Sequence, residues 1–155
     1  MKGNADVIAR LNDLLAGELT SIDQYLIHSR MYKDWGFNRL YERIHHELEE
    51  ERSHADQLID RILFLEGVPD LSKRNTLQIG QDVPSMLKND LALEYKVIEE
   101  LRKAMAFCEN VGDFVTRDVL LALLKDTEED HAHWLEIQLE LIEKVGLQNY
   151  LQTQM

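Results

Sequence analysis

Cysteine, proline, glycine and basic residues are all scarce in this chain, and no long hydrophobic run occurs in it. With one cysteine, Cys108, among 155 residues, an internal disulfide is excluded. Its place among helix-forming residues at an apolar position predicts a packed, reduced thiol. Two prolines, Pro69 and Pro84, and seven glycines leave long stretches rich in Leu, Glu, Ala, Lys and Ile uninterrupted. Strand-type alternation is almost absent, so the chain is predicted to be all-α. No apolar run approaches the roughly 18 residues of a membrane span, and Met1-Lys2-Gly3-Asn4 leads into a polar-apolar pattern without a signal-peptide core. A cytoplasmic protein with no membrane partner is expected. Lys and Arg number 17 against 29 Asp and Glu, a formal charge of −12. That balance argues against nucleic acid, whose phosphates need a basic surface; it suits attraction of cations and plain solubility equally.

The length fits a single domain, residues 1–155, with one substantial core. A first helix is predicted from Ala5 to Lys33, capped by Asn4 and ended by Asp34-Trp35-Gly36. A second runs from Asn38 to Leu65 and stops at Gly67-Val68-Pro69. Asp82 and Pro84 open a third that continues to Asn110. A fourth runs from Asp113 to Lys144, and Gly146 separates it from a short fifth segment, Leu147 to Gln154. The connections after the first and third helices are too short for anything but antiparallel pairs. The connection between the second and third, about 16 residues, can span roughly 50 Å when extended. It can therefore run the length of a bundle and leave those two helices parallel, the arrangement of a ferritin-like four-helix bundle with one long crossover.

Acidic residues interrupt the apolar stripe of every helix. The first reads Ile8, Leu11, Leu15, Glu18, Ile22, Tyr25. The second reads Leu40, Ile44, Glu47, Glu51, His54, Leu58, Ile62, Leu65. The third reads Leu87, Leu91, Glu94, Ile98, Leu101, Met105, Cys108, and the fourth Leu120 or Leu121, Leu124, Glu128, His131, Leu135, Ile142. A buried, unpaired carboxylate costs several kcal/mol, and no Lys or Arg lies on these stripes to neutralise it. Two divalent cations would cancel the charges of Glu18, Glu51, Glu94 and Glu128 and leave His54 and His131 as neutral ligands. Oxygen and imidazole donors suit iron, with manganese or zinc as competitors. Glu18 and Glu51 are 33 residues apart and Glu94 and Glu128 are 34 apart, so each half supplies one Glu followed by one Glu-x-x-His. Such a set characterises ferritin-like di-iron proteins. Glu42-x-x-His45 and Asp130-x-x-His133 have similar spacing but lie off the stripes and are assigned to solvent.

The whole chain resembles bacterioferritin, most specifically in Glu18 with Gln24-Tyr25, in Arg61-Ile62-Leu63-Phe64-Leu65-Glu66-Gly67, in Asp90-Leu91-Ala92-Leu93-Glu94 and in the paired Glu-x-x-His motifs. The resemblance implies that Glu18, Glu51, His54, Glu94, Glu128 and His131 bind a di-iron centre, with Glu51 and Glu128 bridging. It implies a ferroxidase that oxidises Fe(II) with O2 or H2O2 and stores ferric mineral in a hollow 24-subunit shell. It also implies an inner-surface iron site at His46 and Glu50, and it makes Tyr25 a candidate electron donor beside ordinary aromatic packing. The family places a haem-binding methionine immediately after the first bridging Glu, where this chain has Arg52. Arginine stays protonated and is not an ordinary ligand. Haem b is thus not expected from this chain alone, although it could co-assemble with a methionine-bearing subunit. The ferredoxin that reduces stored iron by way of that haem is left open. One residue is added before Glu128 relative to the family pattern, to be absorbed by a bulge or a longer turn. Two other readings stand beside storage: a non-storing di-iron carboxylate enzyme with the same ligands, and a helical interaction module with polar networks. The fifth segment favours a cage, with Leu147, Tyr150 and Leu151 lining a symmetry axis and Asn149 and Gln152 facing a pore.

Overall fold

A computed structural model describes residues 1–155. Helix α1 spans Ala5–Asp34, α2 Asn38–Phe64, α3 Val83–Asn110 and α4 Phe114–Asp126; a π-helical turn, Thr127–Ala132, joins α4 to α5, His133–Val145, and α6, Leu147–Thr153, follows. The first three helices match the sequence reading within a residue or two at each end. Asn4 Oδ1 accepts from the backbone N–H groups of Asp6 (2.8 Å) and Val7 (3.2 Å), satisfying donors that the first helical turn leaves free. Asp82 caps α3 in a reciprocal box with Ser85. The expected unbroken fourth helix is instead two α-helical segments separated by the π turn.

The crossover between α2 and α3 returns along α1, held by polar side chains that α1 presents about every four to eight residues. Asp70 N–H donates to Asn12 Oδ1 (2.8 Å), Asn75 N–H to Thr20 Oγ1 (2.8 Å), Gln78 N–H to Gln24 Oε1 (3.1 Å) and Gly80 N–H to His28 Nε2 (3.1 Å). The order of these contacts carries the chain from the start of α1 toward its end, so α3 begins beside the end of α1 and runs parallel to α2. A Cβ at residue 80 would lie 2.5 Å from the Met86 backbone nitrogen, which is why glycine stands where the crossover meets α3. Because Gly80 donates to Nε2, the His28 proton sits on Nδ1, 2.8 Å from Asp90 Oδ1, and Gln24 Nε2 donates to the same oxygen. These buried groups bind α1, α3 and the crossover together.

Two apolar clusters fill the bundle. One gathers Val7, Leu11, Leu15, Leu58, Ile62, Leu101, Cys108 and Leu120 among others, and buries the cysteine thiol as expected. The other gathers Tyr25, Tyr32, Leu40, Ile44, Met86, Leu87, Leu135 and Tyr150. Between them lies a polar layer, entered from α1 at Glu18. α6 folds back on the bundle: Tyr150 is buried and its hydroxyl donates to Gln138 Oε1 (2.8 Å), while Asn149 and Gln152 are exposed.

Candidate metal centre

Sandwiched between apolar clusters, Glu18, Glu51, His54, Glu94 and His131 are each at most 2% exposed. Leu15 and Leu58 on one side, with Tyr25 and Ile44 on the other, keep water from this layer, and the regular helical phase of α1, α2 and α3 aims the carboxylates at one another. They fall into two groups: Glu18, Glu51 and His54, and Glu51, Glu94 and His131, the ligand atoms of each lying within 4.8 Å of one another. Glu51 belongs to both. Its Oε2 is 3.4 Å from His54 Nδ1 and its Oε1 is 2.8 Å from His131 Nδ1. The two imidazole rings stack with centroids 5.7 Å apart and planes inclined by 19°.

Glu128 does not join them. Its Oε1 lies 2.5 Å from Arg102 Nη2, in a surface hollow lined also by Tyr95, Ile98 and Glu136. The buried residues of this helix are Thr116, Leu120, Leu123, Thr127, His131, Ala132, Leu135 and Gln138, where the sequence stripe ran through Leu124 and Glu128. The wide π turn takes up one residue more than an α-helical turn. It keeps His131 and Leu135 on the inner face, sets Thr127 inward with its hydroxyl donating to Leu123 O (2.8 Å), and turns Glu128 outward. The extra residue is thus absorbed inside the helix, at the expense of Glu128's place in the layer.

The layer lacks hydrogen-bond partners for Glu18 Oε1 and Oε2, Glu51 Oε2, Glu94 Oε2, His54 Nδ1 and His131 Nδ1, all buried. Native interiors rarely leave such groups unpaired. A set of carboxylate oxygens and imidazole nitrogens converging without partners fits divalent cations of mixed oxygen and nitrogen preference.

Electrostatics point the same way. Burial, reinforced by Glu51, raises the Glu18 carboxyl well above its ordinary range. Burial raises Glu94 too, against the lowering contacts of His131 and Tyr25. Burial and the charge of Glu94 would raise Glu51, yet contacts with Glu18, His131 and His54 bring it below its usual value. Burial by itself would lower His54, but Glu18 and Glu51 push it up to about 11; against burial, Glu47, Glu51 and Glu94 raise His131 as well. Protons on the imidazoles therefore balance the carboxylates when no cation does so, and cation binding must displace them.

Groups around the layer hold its members. The Tyr25 hydroxyl donates to Glu94, and His54 Nε2 lies 3.1 Å from Asp126 Oδ2. His131 Nε2 lies 2.6 Å from Glu50 Oε2, and His46 Nε2 is 2.7 Å from Glu50 Oε1. Sequence reasoning missed four participants, Asp126 among them. Glu47 was placed on the stripe without a role, yet its Oε2 lies 2.7 Å from His131 Nε2. Asp130 was assigned to solvent, yet groups with Glu47, Glu50 and His131. Arg43 lies off the stripe and reaches both acids, its Nε 2.6 Å from Glu47 Oε1 and its Nη2 2.9 Å from Asp130 Oδ1. Arg43 and Asp130 stand beside the core positions, and only their side-chain reach brings them in; no stripe count signals that. His45 and His133 are exposed, as expected.

A helical bundle with one long crossover and a buried carboxylate–imidazole layer defines a class of intra-bundle metal-binding proteins. The family model described as a ferritin-like domain matches residues 8–145. A bacterial ferritin of Synechocystis sp. is 59% identical over 155 residues, covering 100% of this chain and 99% of its own. One from Neisseria meningitidis serogroup B is 54% identical over 155 residues, covering all of both chains. The bacterioferritin of Brucella melitensis is 43% identical over 150 residues, covering 97% of this chain and 92% of its own. The chain belongs to the ferritin family, among its bacterial ferritins.

Proposed function

We propose that this chain stores iron as one ferritin-like domain, taking up Fe(II) at Glu18, Glu51, His54, Glu94 and His131 and oxidising it there as a ferroxidase. The observation that carries the reading is the set of buried, unpartnered carboxylate and imidazole atoms converging from α1, α2, α3 and the π turn. Ferrous iron is the substrate and supplies the electrons that reduce O2 or H2O2. Glu51 belongs to both groups and would bridge two irons, with the remaining four residues flanking it in two pairs. Tyr25 holds Glu94 through its hydroxyl. Glu128, paired with Arg102, contributes no ligand in this arrangement.

Ferritins bind iron and assemble into cages, and large apolar side chains left half or more exposed on the single chain, among them Leu63, Phe64, Val115 and Leu121, suit burial between subunits. The proposed assembly is a cytoplasmic shell of about 24 subunits, as the resemblance to bacterioferritin implies, closed by point-group symmetry. No helix is long and apolar enough to cross a membrane. Arg52 is exposed on α2, so the proposal includes no haem held through that position by this chain.

The test is to add excess Fe(II) in air to the purified protein, then size it by chromatography while counting iron retained per chain. Many irons on a very large assembly are expected. About two irons per chain on a small species would replace storage with a non-storing di-iron enzyme, and no retained iron would overturn both.

A further inference from the structure

Away from the layer and the acids around His131, two buried polar atoms have no hydrogen-bond partner: Asp90 Oδ2 and the Tyr32 hydroxyl. Asp90 is 0% exposed, and all of its side-chain bonding falls on the other oxygen. Gln24 Nε2 and His28 Nδ1 both donate to Oδ1, each at 2.8 Å. The far ends of the same two side chains accept from the crossover, Gln24 Oε1 from Gln78 N–H and His28 Nε2 from Gly80 N–H, at 3.1 Å each. One carboxylate oxygen on α3 is thus the point where two struts from α1 meet.

That point lies one turn before Glu94 on α3. Its partner Gln24 adjoins Tyr25, whose hydroxyl donates to Glu94 Oε1. Gln24–Asp90 and Tyr25–Glu94 are therefore successive rungs between the antiparallel helices α1 and α3. The second rung occupies Glu94 Oε1 and leaves Oε2 unpartnered. A hydroxyl reaches a carboxylate only within a narrow range of distance and angle, so this rung depends on the register of α1 against α3. Apolar contacts are non-directional and do not set register so finely. A buried carboxylate with one oxygen unpaired is a costly way to join two helices; what it adds over an apolar residue is direction.

We propose that Asp90 is a positioning residue for the metal layer, holding Gln24 and His28 on one oxygen so that α1 stays in register with α3 and Tyr25 keeps Glu94 oriented for a cation. Asp90 touches no cation and acts only through Tyr25. The role needs one accepting oxygen and not a charge, because Oδ2 bonds to nothing.

This role rests on the reading that Glu94 holds metal, and Co(II) tells the failure of one from the failure of the other. Co(II) is titrated into the iron-free assembled protein, and its visible absorption reports both affinity and the ligands around the ion. Asp90→Ala should weaken binding in the layer by about tenfold, within the roughly 10–100-fold loss that follows removal of a group supporting a ligand, and change the shape of the band. Asp90→Asn, which keeps an accepting oxygen, should restore both. Tyr25→Phe should weaken binding to a similar extent, and adding Asp90→Ala to it should cost nothing further, since the rung through which Asp90 acts is gone. Losses that multiply to about a hundredfold in the double variant would overturn the proposal. So would an Asp90→Asn protein as impaired as Asp90→Ala, which would assign the effect to charge, or an Asp90→Ala protein that melts lower with affinity and band unchanged, which would leave Asp90 a part in folding alone. If Asp90→Ala does not assemble, Gln24→Leu removes the strut next to Tyr25 and takes its place in the same comparison. Wild-type protein with no Co(II) in the layer would overturn the metal reading itself, and this role with it.

Discussion

The two halves of the bundle carry the same motif with different results. In the first half, Glu18, Glu51 and His54 all face the buried layer, because α1 and α2 keep a regular helical phase from end to end. In the second half, Glu94 and His131 do so while Glu128 turns out to Arg102, because the π turn intervenes between Leu123 and His131. One residue of added length separates these outcomes. The lesson is that an insertion within a helix need not rotate everything after it: the wide turn confines the change to residues inside itself and preserves the histidine beyond.

Removing the shared member should have the largest effect. Glu51→Ala takes a carboxylate from both groups at once, and retained iron and oxidation rate are expected to fall by more than the roughly 10–100-fold that loss of an outer-sphere partner produces. Stopped-flow oxidation with iron counting on the same assembly checks this; a variant that still oxidised iron at the wild-type rate would dissolve the pairing of the halves.

The comparison can also be sharpened by repairing the second half. Deleting Thr127 restores the family's residue count and should convert the π turn to α-helix, placing Glu128 one turn after Leu123 on the inner face. Cation affinity at the layer should rise by about tenfold, or 1.4 kcal/mol. Unchanged affinity in calorimetric titration, with Glu128 still outside in a crystal structure, would show that the π turn has a cause other than chain length.

Smaller but separable is the response to pH. His54 is held at about 11 in the folded chain, far above its unfolded value near 6.5. Its stabilising proton is fully in place below pH 6.5 and is lost as pH rises toward 11. Glu18 and Glu94, raised by burial, act in the same direction. Glu51, lowered, contributes stability present above its ordinary range and lost only under acid. The cation-free protein should therefore lose thermal stability between pH 6.5 and 10, by roughly 5 °C or more, whereas protein loaded with Zn(II) should not, since the cations replace those protons. Parallel melting curves for the two forms would refute this.

The smallest change is expected from Arg102→Ala, which frees Glu128 without altering the helix. An exposed pair of this kind contributes at most about 1 kcal/mol, so Tm should move by no more than roughly 2–4 °C, and cation stoichiometry should stay the same. A gain in bound cations would show that the arginine, and not the π turn, keeps Glu128 out.

The sequence made the first three helices, the crossover and the inward acids readable because long amphipathic stripes and clear caps leave little choice of phase. It left the fourth helix ambiguous at Leu120-Leu121 and Leu123-Leu124, where adjacent leucines satisfy either of two registers. Thr127, small and polar, did not announce itself as a core residue, and the burial of Thr20, Gln24 and His28 in contacts with the returning crossover has no periodic signature. Arg43 and Asp130 were overlooked for a related reason: a stripe records where a side chain begins, not how far it reaches.

The crossover also bears on how the chain reaches this structure. α1 packs on α2, and α3 on α4, through short turns, so each antiparallel pair can form from contacts near in sequence. The clasp of Gly80 on His28 and of His28 on Asp90 joins residues 52 and 62 positions apart. Closing loops of that size is entropically costly before the contacts reward it. The two hairpins should therefore gain protection from hydrogen exchange early in refolding, and the amide of Gly80 late, so the buried layer is assembled only when the two halves, each already helical, are finally latched together.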